Sequence, residues 1–291
     1  IYVINEQGRL CDDLRIRQIL LAAPETLISD LMDSRFAALK ATDDRETAVE
    51  MFKETDLSAL PVTDTQGALL GIVTVDDILD VAEEEATEDF QKMGGSEALD
   101  EPYMKIAIPS MVRKRATWLV ILFLSEMLTA TAMGKFENEI AKAVVLSIFV
   151  PLVISSGGNS GSQASTLIIR AMAVGEVHLA DWWRVMRREF LSGLSLGLIL
   201  GAIGVIRISA WHYLFHSYGE HWFLLAVTVG LALVGIVLWG SLSGSMLPFL
   251  LRRIGLDPAT SSAPFVATLV DVSGLIIYFS VAAFILKGTL L

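Results

Sequence analysis

Ala263 to Leu286 reads A-P-F-V-A-T-L-V-D-V-S-G-L-I-I-Y-F-S-V-A-A-F-I-L, and its one charge is Asp271. The run is long enough to cross a bilayer as a helix, which takes about 20 apolar residues. A carboxylate near the middle of such a helix costs at least ~2.5 kcal/mol. A side chain placed at that cost normally faces a water-filled cavity, an ion or a partner charge. The other segments are therefore read for what they give Asp271 to face.

Composition agrees with a membrane protein. The chain has 291 residues, 53% of them hydrophobic, and a mean hydropathy of +0.57, too apolar for an ordinary soluble domain. Charge divides unevenly. Residues 1–110 carry 24 acidic and 9 basic side chains, and residues 111–291 carry 9 and 13. An acidic soluble part joined to a mildly basic apolar part argues against nucleic acid and favours cations. Cys11 is the single cysteine, which excludes an intrachain disulfide and fits a reducing compartment. The sequence opens without Met in strand-like Ile1-Tyr2-Val3-Ile4, the look of a fragment.

Five apolar segments lie at about 116–133, 140–156, 190–214, 222–250 and 263–286. Arg113, Lys114, Arg115, Arg170, Arg184, Arg187, Arg188, Arg252 and Arg253 flank them on one side, and Lys135, Lys142 and Lys287 on the other. Basic residues stay cytoplasmic, so the acidic part is expected in the cytoplasm and the C-terminus outside. The second segment is unusual. Ala143–Ser155, carrying Pro151, reads as a helix that runs into Ser156-Gly157-Gly158-Asn159-Ser160-Gly161-Ser162-Gln163-Ala164-Ser165-Thr166. Small residues suit close helix packing. The amides of Asn159 and Gln163, four apart on one face, are more than packing requires and point to a polar path.

The N-terminal part contains an offset repeat. Ile1–Leu10 aligns with Leu60–Leu69, each copy reading strand, Gly turn, strand and helix, with helices expected at 14–21 and 75–82. Thr42–Glu54 has helical spacing with Ala48, Val49 and Phe52 inward. Asp76, Asp77, Asp80, Glu83, Glu84, Glu85, Glu88 and Asp89 follow within fourteen residues with no Lys or Arg among them. Like charges at i,i+3 and i,i+4 repel. The bland reading is a solvated helix face; the sharper one is weak Mg²⁺ or other divalent binding through one or two carboxylates and retained waters. The expected domains are 1–89 as the soluble region, its second copy about 33–89, then a connecting helix over 90–112 and a five-helix membrane domain over 113–291.

Two resemblances join these parts. Leu60-Pro61-Val62, Gly67, Leu70-Gly71-Ile72-Val73-Thr74 and Asp77 resemble the second motif of a CBS-domain pair, the first copy being incomplete. In nucleotide-binding CBS modules the matching Thr and Asp contact adenosine nucleotides, so the resemblance implies ATP at Thr74 and Asp77; helix capping by the same pair is the simpler reading. Pro151-Leu152, Gly157-Gly158-Asn159, Gly161, Gln163 and Ser165-Thr166, with Asp257-Pro258-Ala259, Pro264, Thr268, Asp271 and Gly274, resemble the MgtE-type magnesium channels. That resemblance implies a multi-domain membrane protein: an α/β CBS pair, a connecting helix and five spans. It implies a homodimer in the cell (inner) membrane, with one pore on the two-fold axis. Gly158, Asn159 and Gln163 would line it from the second helix, and Asp271, Ala267 and Ala263 from the fifth.

It further implies passive Mg²⁺ entry, gated by cytosolic Mg²⁺ on Asp76, Asp77, Asp80, Glu83, Glu84, Glu88 and Asp89. Ala263 stands where family members carry Asn or another polar residue, and Glu126 in the first span, where a small residue is usual, reads as a polar contact within the bundle or a residue beside the ion path. The family's N-terminal helical domain is not in this sequence. A proton- or sodium-coupled carrier and a non-transporting CBS sensor are the alternatives. No nucleophile–base set, metalloprotease motif or phosphate loop points to an enzyme.

Overall fold

The computed structural model describes residues 1–142 and 144–289. Two compact units divide at residues 87 and 88.

In the first unit β1 (Tyr2–Ile4) pairs antiparallel with β2 (Leu10–Asp13), and helices α1 (Ile16–Leu21) and α2 (Ile28–Leu31) follow. Next come β3 (Leu39–Lys40), α3 (Arg45–Thr55), β4 (Ala59–Thr63), β5 (Leu69–Thr74) and α4 (Val75–Met93). The second sheet runs β3-β4-β5, with β3 parallel and β5 antiparallel to β4. Its core is Leu39, Phe52, Leu60 and Ile78, with Ala48 and Val49 packed against it, as the helical spacing of 42–54 predicts.

The repeat is visible atom by atom. Gly8 and Gly67 both turn with positive φ, at 76° and 83°, a conformation open to glycine at little cost. Asn5 Oδ1 accepts from the backbone N–H of Gln7 and Arg9, and Asp64 Oδ1 accepts likewise from Gln66 and Ala68. The two turns also bond to each other: Leu10 N donates to Gly67 O and Leu69 N to Gly8 O, both at 2.9 Å. Equivalent groups exchanging equivalent bonds are what a pair of half-units related by a local two-fold produces. The first copy has put its own groups where the pattern breaks. Buried Asp12 accepts from the backbone N–H of Asp13, Asp33 and Ser34. Burial raises its pKa, but these three bonds outweigh it and hold the carboxyl below its usual value.

The expected connecting helix over 90–112 is not one helix. α4 runs on to Met93 and stops at Gly95, whose φ is +74°, with Ser96 N donating to Gln91 O and Gly95 N to Lys92 O. That is a glycine C-terminal cap. The chain then has no regular structure until α5 (Ile108–Lys135), which takes Pro109 in its first turn.

After α5 come α6 (Glu137–Lys142), α7 (Val144–Ser147), α8 (Val150–Ala173), α9 (Trp182–Phe215), α10 (Trp222–Arg253) and α11 (Ala263–Leu286). Five helical stretches, 108–135, 144–173, 179–215, 222–253 and 263–286, are long and apolar enough to cross a membrane. The second departs from expectation. Ala143 lies outside the described residues, Pro151 sits in the first turn of α8 rather than inside a helix, and the Gly/Ser-rich stretch forms the middle of that helix. Proline is tolerated at the first turn because its missing N–H has no intrahelical role there.

Gly157 and Gly161 of α8 are explained by α10 and α11. A Cβ on Gly161 would come 2.8 Å from Val266 Cγ1 and 3.0 Å from the Gly240 carbonyl oxygen, and one on Gly244 would overlap the Gly161 backbone. α9 meets α10 in the same way: a Cβ on Gly201 would lie 2.8 Å from the Gly230 oxygen. Backbones thus touch where side chains would hold helices apart. Arg207, omitted from the count of flanking charges, lies two turns from the end of α9. Its guanidinium stacks 3.3 Å from the centre of the Trp211 ring and donates to Tyr218.

Overpacking in a tight core costs typically 1–3 kcal/mol. Gly244→Ala is expected to destabilise the helical unit by at least about that much, whereas Gly134→Ala, with open space at its Cβ, should be neutral. Thermal unfolding of the two variants in detergent checks this.

Candidate functional site

A cavity of about 410 Å³ opens among α5, α8 and α11. Each helix presents residues at helical spacing: Glu126, Thr129 and Met133 from α5; Ile154, Ser155, Gly158 and Asn159 from α8; Ala267, Asp271 and Leu275 from α11. Val150 and Pro151 close one end. Asp271 is half-buried, and Gly158 lies against it: a Cβ there would be 3.5 Å from Asp271 Oδ1 and 3.5 Å from the Ala267 Cβ. Gly158 therefore leaves room where its neighbour Gly157 allows contact with Ile236.

The structure thus brings together four of the six residues expected along the path, Asp271, Ala267, Gly158 and Asn159. Gln163 and Ala263 do not line the cavity. They extend the rows 155, 159, 163 and 263, 267, 271 by one turn, both toward the start of α11, where Ser162 Oγ donates to the Ala263 carbonyl at 3.0 Å. Asn159 and Gln163 are exposed, and neither side chain hydrogen-bonds among the described residues. Asp271 forms no ion pair among the described residues. Two further polar residues line the cavity: Glu126, whose sequence reading left open a bundle contact or a place beside the ion path, and Thr129, which was not foreseen. Their spacing of three in an otherwise apolar helix was the available signal.

The start of α11 is held from three sides. Ser262 caps it, accepting from Phe265 N and from Trp118 Nε1 at 3.1 Å. Ser165 Oγ of α8 donates to the Ser261 carbonyl at 2.7 Å. Asp257 accepts from Ala259 N, capping the short turn Pro258–Thr260, and its other oxygen takes Lys92 Nζ at 2.6 Å. Lys92 also pairs with Glu88 at 2.7 Å. The last turn of α4 is in this way tied to the turn leading into the helix of Asp271. Burial alone would lower the Lys92 pKa, but the bonds to Asp257 and Glu88 overcome it and raise it above the ordinary lysine value.

The acidic row of α4 is less bare than its sequence suggests. Arg45 of α3 pairs with Glu84 at 3.2 Å and Glu85 at 2.9 Å, and Lys92 takes Glu88. Asp80 and Glu83 form no ion pair among the described residues. Asp77 turns back to its helix start, accepting from the Thr74 hydroxyl at 2.7 Å and from its N–H, the capping arrangement. Among the described residues no three His, Cys, Asp or Glu side chains gather as a metal site. His212 is occupied by stacking on Trp222 and by the Ser217 carbonyl.

Five apolar helices joined to a small α/β unit define a multi-pass membrane protein with an attached soluble domain. Residues 150–281 match the MgtE family, described as a divalent cation transporter, and residues 28–84 match the CBS domain. The chain is 42% identical over 288 residues to the magnesium transporter MgtE of Thermus thermophilus, covering 99% of this chain and 62% of that one. It is 31% identical to that of Enterococcus faecalis (99% and 61%) and 32% identical to that of Bacillus subtilis (97% and 60%). It spans about six tenths of the length of these relatives. A crystal structure of the cytosolic domain of the Mg²⁺ channel MgtE in complex with ATP is 40% identical over 28% of this chain and 33% of that one, with a TM-score of 0.27. The soluble part of a magnesium transporter is 38% identical over 29% and 33%, with a TM-score of 0.29. The chain thus carries an MgtE-family domain over residues 150–281 and a CBS domain over residues 28–84.

Because the Lys92 pKa is raised on folding, its contribution to stability is complete below the unfolded value of about 10.4 and is lost only as pH rises through the higher folded one. Lys92→Met is expected to lower stability by roughly 1 kcal/mol or less, by the same amount at about pH 6 and pH 9. Denaturation midpoints at the two pH values measure it.

Proposed function

We propose that two copies of the chain form a passive pathway for Mg²⁺ into the cytoplasm, on the two-fold axis of a homodimer in the cell membrane. Transport, not catalysis, is its activity, and Mg²⁺ is its cargo. The observation that carries the reading is a carboxylate without a basic partner among the described residues, lining a roomy cavity that several polar groups share among apolar helices. α8 and α11 line the path: Asp271, Ala267, Gly158 and Asn159 at the cavity, Gln163 and Ala263 one turn further toward the cytoplasm. The names of the relatives, magnesium transporters all, agree with it. Hydrated Mg²⁺ sheds water reluctantly and is held through a few carboxylates and retained waters. Two Asp271 side chains and the amides of Asn159 and Gln163 suit such an ion, and apolar Ala263 leaves the grip loose enough for release.

Orientation follows the basic residues, with the CBS region cytoplasmic and the C-terminus outside. Gating comes from the α4 acids, Asp76, Asp77, Asp80, Glu83, Glu84, Glu88 and Asp89. Mg²⁺ bound between subunits would offset their repulsion and favour the closed state, provided that it binds that state more tightly. The link from Glu88 and Lys92 to Asp257 gives the signal a covalent and ionic route to α11. ATP at Thr74 and Asp77 is a secondary part of the reading, since it would have to replace the bond between those two side chains.

Asp271→Ala is expected to reduce Mg²⁺ flux into liposomes by about tenfold or more, the loss of at least ~1.4 kcal/mol of attraction for the ion; undiminished flux rejects the pathway. Neutralising Asp76, Asp80, Glu83 and Glu84 together should leave flux intact and abolish its inhibition by Mg²⁺ on the CBS side. Closure that persists at the same Mg²⁺ concentration rejects the gating half alone.

A further inference from the structure

The membrane cavity holds a second carboxylate that the pathway above does not use. Glu126 of α5 lines the same cavity as Asp271; Glu126 is exposed and Asp271 half-buried. Among the described residues neither forms an ion pair, and no Lys, Arg or His lines the cavity. Two negative groups in an apolar bundle with nothing basic beside them repel each other and are costly to keep. The third observation is Thr129, one turn from Glu126 on the same face. The residue lines the cavity, and its hydroxyl oxygen is buried with no hydrogen-bond partner among the described residues. Buried polar atoms are seldom left so, and the exceptions call for an ion or a water. Asn159, across the cavity, also has its amide free among the described residues.

We infer that Glu126 and Asp271 together make a divalent-cation site inside each protomer, completed by water held on Asn159. The inference rests on reading Asp271 as ion-facing and adds a ligand from the first membrane helix. Size permits it. Six waters at ~30 Å³ each need about 180 Å³, well within the 410 Å³ of the cavity. Mg²⁺ uses one or two carboxylates and keeps several waters, which is the donor set here. The ion would neutralise both carboxylates. A site fed by two charges from one protomer holds a divalent ion off the two-fold axis. It makes the entrance to the path selective for charge before the two subunits' Asp271 side chains act together.

The test compares wild type, Glu126→Gln and Asp271→Ala in two measurements. One is Mg²⁺ flux in liposomes over a range of Mg²⁺ concentrations; the other is equilibrium binding of Mg²⁺ to the purified chain in detergent. Gln keeps the size and hydrogen bonding of Glu, and size-exclusion profiles verify that each variant is folded. The expectation for Glu126→Gln is a half-saturating Mg²⁺ concentration raised about tenfold, with maximal flux retained and one bound Mg²⁺ per protomer weakened or lost. Because the α4 acids are unchanged in every protein, the difference in binding belongs to the membrane unit. Glu126→Gln matching wild type in both measurements overturns the inference while leaving Asp271 and the pathway standing. If Asp271→Ala conducts normally, the pathway falls. The binding measurement then decides the site alone: weaker binding in Glu126→Gln supports it, and equal binding overturns it.

Discussion

An ionised carboxylate cannot rest against hydrocarbon, and that constraint shapes the helical unit of this chain. Asp271 sits in a helix that is otherwise uncharged and largely apolar, so its neighbours must leave it space and polarity. The space comes from Gly158 and Ala267, which place no bulk beside its oxygens. The polarity comes from Asn159, Thr129 and Glu126. A larger side chain at 158 would meet the Asp271 carboxylate and Ala267 directly, which is why this glycine serves the cavity and not the packing.

α8 answers two demands with one sequence. Gly157 and Gly161 face α10 and α11, where backbone meets backbone or a branched side chain closes over the missing Cβ. One residue further round, Gly158 and Asn159 face the cavity. Close packing and cavity lining therefore do not compete as explanations of the glycine-rich stretch, because a helix turns about 100° per residue and offers both faces at once. Ser160 and Ser165 stabilise the packed face by bonding to Ser241 and Ser261, burying hydroxyls without loss.

Much of this was legible beforehand, for identifiable reasons. The five spans show because the bilayer demands long apolar runs. The repeat shows because Asn5 and Asp64, with Gly8 and Gly67, are the residues that their shared turn requires. Asp271 and Asn159 show because polar groups in apolar runs need a reason. What was not legible depended on partners distant in sequence. The α4 acids seemed unrelieved because Arg45 lies 39 residues from Glu84. The connector was expected to be one helix, yet Gly94-Gly95 supplied the cap that ends α4 and allows the turn before α5. The Gly/Ser run looked like an interruption because its helix propensity is poor, and only the close approach of α10 and α11 repays that weakness with tertiary contact.

The way α11 is held bears on how a signal can reach Asp271. Its first turn is capped by Ser262, which also receives Trp118 of α5, and the preceding turn is capped by Asp257, which receives Lys92 of α4. Helix ends need partners for their free backbone groups, and here the same side chains that meet that need also receive donors from other helices. A displacement of Lys92 cannot therefore leave the start of α11 untouched, because the carboxylate it holds is the cap of the turn before it. Asp271 lies two turns beyond that capped start, on a helix stiff enough to carry a small rotation along its length. The last turn of α4 and the start of α11 are thus joined through a few short polar contacts.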